Sequence, residues 1–129
     1  MSKDARHEDV DLTLEEKEKF DALVALLSQC GFGAAGPARE TTFAEIEQFG
    51  HRVGRMLARA VDARLAAQHA AHFAGPEPCP TCGESHAPHE RPHALPLQTQ
   101  DGEVTLPEPA FFCPPCERDF FPAAFGVAD

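Results

Sequence analysis

The chain has 129 residues, 43% of them apolar, with 11 Lys and Arg against 21 Asp and Glu, giving a formal charge of −10. The length bounds it to one domain, or to a small domain with a helical extension, and the composition excludes collagen-like and wholly disordered chains. No apolar run is long enough for a bilayer, and the opening MSKDARHEDVDL has no apolar core of a secretory signal, so a cytoplasmic setting without a membrane partner is expected.

Residues 1–12 are acidic and polar and are expected to be disordered. Thr13-Leu14-Glu15-Glu16 then fits a capping box, with Thr13 at the N-cap and Glu16 at the third helical position. Phe20, Leu23, Leu27 and Cys30 follow at helical spacing, which makes Cys30 a core residue of that helix. Gly31 is the expected stop signal, and residues 31–41 read as a loop.

A second capping box, Thr42-Phe43-Ala44-Glu45, opens a longer helix that Gly75-Pro76 ends. Ile46, Phe49, Val53, Met56, Ala60, Ala63, Ala67 and Ala70 form a seam in steps of three and four, and Leu57, Val61 and Leu65 form a second apolar row. A helix apolar on two sides sits between partners. The first helix is expected to cover one side, making residues 13–75 a helical hairpin. The other side is left for the C-terminal module, a second copy or another segment. Gly50 and Gly54 each cost about 1 kcal/mol of helix stability against Ala; they either permit a close helix crossing or are simply tolerated.

Eleven of the twelve prolines lie at or after Pro76, so residues 76–129 read as turns and short strands. Cys79-Pro80-Thr81-Cys82-Gly83 and Cys113-Pro114-Pro115-Cys116 supply two CxxC pairs. Four thiolates match a closed tetrahedral Zn²⁺ site, because two intervening residues turn the chain tightly enough for both sulfurs to face one ion. A redox CxxC, two disulfides or an iron centre with the same ligands are the competing readings. Any of His86, His89 and His93 could replace a sulfur, but four Cys already satisfy the ion. His69 and His72 read as a solvated face.

Between the knuckles, residues 93–99 are expected to form a strand, and Gln100-Asp101-Gly102-Glu103 a tight turn. The next strand is expected to run from Val104 through Phe112 and deliver Cys113, and a short strand to form around Asp119-Phe120-Phe121. The fold class is therefore α+β: a medium and a long helix, then a small four-cysteine zinc ribbon with a β-hairpin. One structural Zn²⁺ on Cys79, Cys82, Cys113 and Cys116 is expected, and a metal closed by four thiolates leaves no position for substrate. No Ser–His–Asp order, phosphate loop or HExxH is present, so no enzyme is expected.

The run FAEIEQFGHRVGRMLARAVDARLA, then CPTCG, LQTQDGEVTL, FFCPPC and RDFFP resembles the N-terminal region of DDE-type bacterial insertion-sequence transposases, over about residues 43–125. In that family this region is a zinc-binding, DNA-contacting segment, and the catalytic carboxylates lie in a later domain. With the chain ending at Asp129, the resemblance implies a truncated, split or domesticated transposase-like protein without catalysis, and a separate catalytic chain as a partner. Charge departs from the pattern: residues 76–129 carry two Arg against nine acids. DNA, if bound, is expected on the long helix, where Arg52, Arg55 and Arg59 form one basic stripe. The alternative is a zinc-stabilised acidic protein-interaction module or accessory regulator, which self-associates through the apolar helix.

Overall fold

Both capping boxes form. The structure, a computed structural model, describes residues 9–125, so most of the expected disordered segment 1–12 lies outside the described residues; residues 9–12 have no regular secondary structure and are exposed. Thr13 accepts from the Glu16 N–H at 3.2 Å, and the Thr13 N–H donates to Glu16 Oε1 at 2.9 Å, opening α1 (Leu14–Phe32). Thr42 and Glu45 repeat the exchange at 3.2 and 2.8 Å to open α2 (Phe43–Ala70), which passes into a 3₁₀ turn at Ala71–Phe73. Each reciprocal pair satisfies two of the orphan donors at a helix start.

The chain divides into two compact units, Met1–His51 and Arg52–Asp129. In the first, α1 continues past its expected stop. Gly33, at φ 83°, is the cap, and its N–H donates to Gln29 O at 2.7 Å. Gly31 is instead a packing residue, because a Cβ there would overlap the ring of Phe49. The Phe49 ring also meets Phe32 edge-on, with centroids 5.3 Å apart. Neither helix contains a buried residue. Cys30 is exposed, which corrects its assignment to a core. Periodicity places residues on one face but does not supply a partner for that face.

In the second unit, the half-buried positions of α2 are Val53 and Leu57, then Ala58, Arg59, Ala63, Ala66 and Ala70, while Met56, Ala60 and Ala67 of the expected seam are exposed. Small residues dominate the C-terminal part of that face. The rest of the unit is three two-stranded antiparallel sheets, and the fold is α+β as expected. β1 (Glu77–Pro78) pairs with β2 (Ser85–His86) around the first knuckle, β3 (His93–Thr99) with β4 (Gly102–Glu108), and β5 (Phe111–Cys113) with β6 (Arg118–Phe120) around the second.

The β3–β4 turn lies where Asp-Gly predicts it. Thr99 pairs with Gly102, the Thr99 hydroxyl donates to Gly102 O at 2.7 Å and accepts from the Asp101 N–H at 3.0 Å, and Gly102 adopts φ 115°. The expected single strand from Val104 to Phe112 is two strands. Pro109 has no N–H to continue the ladder with β3, and after it the chain changes partners: Phe111 bridges Pro88, then pairs with Phe120. The β1–β2 hairpin has no counterpart in the sequence reading.

The buried core is small and sits on the cysteines. Cys79, Phe111, Cys113 and Phe120 form it, with Phe73 and Cys116 packed against them. Phe111 and Phe120 stack at 5.2 Å. Among the described residues, no helix is long and apolar enough to cross a membrane.

Candidate metal centre

Each knuckle is a tight turn closed by backbone hydrogen bonds. In the first, the Gly83 N–H donates to Cys79 O at 2.9 Å and the Cys79 N–H to Glu84 O at 2.8 Å. In the second, the Glu117 N–H donates to Pro114 O at 3.1 Å. The residue after the second cysteine has positive φ in both: 83° at Gly83 and 53° at Glu117. Gly83 suits this conformation, whereas a side chain at Glu117 is held in the left-handed region, at a cost of about 1–2 kcal/mol. We expect Glu117→Gly to raise the midpoint of chemical unfolding and Gly83→Ala to lower it, each by about 1 kcal/mol. Space is open around a Cβ at Gly83, so the second effect reports backbone strain alone. Equal midpoints for wild type and both variants in urea titrations would contradict this.

The two knuckles face each other across the β1–β2 and β5–β6 hairpins. The four sulfurs of Cys79, Cys82, Cys113 and Cys116 all lie within 4.8 Å of one another. Cys79 Sγ is 3.9 Å from Cys116 Sγ, and Cys82 Sγ is 3.5 Å from Cys113 Sγ. A tetrahedron of metal–sulfur bonds of about 2.3 Å has edges of about 3.8 Å. A disulfide needs about 2.05 Å, and all four cysteines are free. The donor set therefore fits one tetrahedral ion. The cluster could hold a metal on the four residues that the spacing singles out.

Electrostatics favour a cation. The Cys82 backbone N–H holds the Cys79 thiol down at about 6, with the Thr81 N–H, 3.4 Å from the sulfur, adding to it. Burial pushes the Cys113 thiol up. Burial, followed by the neighbouring sulfurs, pushes Cys116 up to about 12. Four adjacent sulfurs cannot share four negative charges without a positive centre between them.

None of the three loop histidines takes the place of a sulfur. His86 is half-buried on β2, with Nε2 3.0 Å from Glu84 Oε1 in an approach that lacks hydrogen-bond geometry. Together with Cys113 these two residues form a second, mixed group of donors within 4.8 Å, which spacing alone does not reveal. Glu84 precedes β2 and His86 lies on it, and the approach of β2 to β5 brings the pair to Cys113. His89 Nε2 lies 3.7 Å from Asp119 Oδ1, and His93 Nδ1 lies 3.6 Å from Oε1 of the buried Glu108. His69 packs on Phe73 and Phe125, with centroids 5.4 and 5.8 Å away.

The basic stripe of α2 is not uniform. Arg52 and Arg55 are exposed. Arg59 is half-buried, and its Nη1 donates to Asp101 O at 2.8 Å, tying α2 to the β3–β4 turn. A Cβ at Gly102 would come within 3.1 Å of the same nitrogen, so the glycine serves this contact as well as the turn. Comparisons of the chain with protein-family models, with curated proteins and with solved structures find no match.

Proposed function

We propose that the protein is a non-catalytic, zinc-stabilised interaction module. In this reading, Zn²⁺ on Cys79, Cys82, Cys113 and Cys116 fixes the ribbon, and the ribbon steadies a helix that meets another macromolecule. The carrying observation is a contrast in burial. The core collects around the four sulfurs, while α1 and α2 contain no fully buried residue and expose Phe20, Val24, Leu26, Val61 and Leu65. Four thiolates complete a tetrahedral shell, which is the arrangement of structural rather than catalytic zinc. Zinc is favoured over iron because it is redox-inert and suits a site whose task is to fold a small module.

A second reading follows from the transposase-like order of motifs: a DNA-contacting segment that serves a separate catalytic chain. The exposed Arg52 and Arg55 favour it. The acidic ribbon and the engagement of Arg59 weigh on the other side. One pair of measurements separates the two. Elemental analysis is expected to give one zinc per chain under either reading. Titration with duplex DNA at about 50 mM salt is expected to give no binding above background for the interaction module. Binding that falls steeply with salt, and weakens in Arg52→Ala and Arg55→Ala, would replace the first reading with the second.

A further inference from the structure

We infer that the partner of α2 is a second copy of this chain, paired with it antiparallel through Gly54, Leu57, Val61 and Leu65. The inference rests on the interaction reading above and names its occupant.

At 100° per residue, the face of α2 packed toward the ribbon carries Arg59, Ala63, Ala66 and Ala70, all half-buried. Gly54, Leu57, Val61 and Leu65, in steps of three and four, lie on the opposite side of the same helix. Leu57 is half-buried, while Gly54, Val61 and Leu65 are exposed. Val61 is 52% and Leu65 57% exposed, and a Cβ built on Gly54 meets nothing within 4 Å. The row thus has a hollow at one end and a large side chain at the other.

That asymmetry is what makes the row self-complementary. A two-fold axis passing beside residues 59–60 sets Gly54 of each copy against Leu65 of the other, and Leu57 against Val61. Each large side chain then fills a space that the other copy leaves, as an isologous interface requires. Charge follows the same symmetry. Arg55 and Asp62 are exposed along one edge of the row, and the two-fold sets Arg55 of each copy beside Asp62 of the other. Within one helix they are seven residues apart, about 10 Å along the axis, too far to pair. The row spans about 17 Å, shorter than an interface of about 1,600 Å² demands, so the dimer is reversible and dissociates on the order of micromolar concentration.

Sedimentation of the zinc-loaded full chain across about 1–200 μM is the test. We expect a monomer–dimer equilibrium. Leu65→Glu is expected to raise the dissociation constant about tenfold or more, with zinc content and helical circular dichroism unchanged. Arg55→Glu alone is expected to weaken the dimer, and Arg55→Glu with Asp62→Arg to restore it. Restoration is specific to pairing between copies, because the two residues do not meet within one chain. A monomer at every concentration would overturn the inference and leave the interaction reading open to a different partner. A dimer indifferent to Leu65→Glu, or not restored by the charge exchange, would overturn this interface. Loss of zinc binding in the wild-type chain would instead strike at the zinc-stabilised reading itself.

Discussion

Removing the metal is expected to abolish the folded state of residues 77–120, and metal uptake is expected to release at least two protons at pH 7. The first result follows from the size of the core, in which two of the four fully assembled residues are cysteines. Without an ion the buried apolar residues among those described are Leu106, Ala110, Phe111 and Phe120, below what a ribbon of this length needs to fold. With the ion, binding free energy becomes folding free energy. The proton count follows from the thiols. Cys113 and Cys116 are pushed up by burial, Cys116 to about 12, so both carry protons near neutrality and must lose them to ligate. Affinity therefore falls as pH falls, by about a hundredfold per unit for two protons. Calorimetric titration with zinc in buffers of different ionisation enthalpy measures the protons, and amide dispersion in ¹H–¹⁵N spectra reports the fold, since the chain has no Trp or Tyr. A ribbon that keeps its dispersion in chelator would refute the structural role of the metal, as would Cys113→Ser with unchanged spectra.

What could be read from the sequence was local. Thr13 with Glu16, Thr42 with Glu45, and Asp101-Gly102 each act within four residues, and each forms as its pattern implies. The cysteine cluster belongs with them, because each CxxC is a local turn and one ion is the simplest way to join two such turns. The features that escaped depend on distant partners. Gly31 reads as a stop signal, yet its reason lies eighteen positions away in the ring of Phe49. Cys30 shares a helical row with the half-buried Leu27, yet it is exposed. The change of partners at Pro109 was foreshadowed by the proline, but which strand Phe111 would join was not. Glu117 carries no signal at all until the second knuckle is laid over the first, where Gly83 holds the same left-handed position.

Phe111→Ala is expected to cost about 3–5 kcal/mol, the largest effect of any single apolar truncation in the ribbon. Phe111 is 0% exposed, whereas Phe112 beside it is 41% exposed, because successive residues of β5 face opposite ways. Its ring stacks on Phe120 directly across the hairpin, and its own strand carries Cys113 on the same inner face two residues later. Truncation therefore opens a cavity beside a metal ligand in a core with few other side chains to collapse into it. Under the proposed coupling of metal binding to folding, the loss should be read in the metal. A destabilisation of about 3 kcal/mol lowers apparent zinc affinity about a hundredfold, although every ligand is intact. Phe112→Ala is the matched control, expected within about 0.5 kcal/mol of the parent. Competition with a chelator of known affinity ranks the three proteins. Equal affinities for the Phe111 and Phe112 variants would show that the ligands alone hold the ion, and that the aromatic pair is not what makes the ribbon rigid enough to present them.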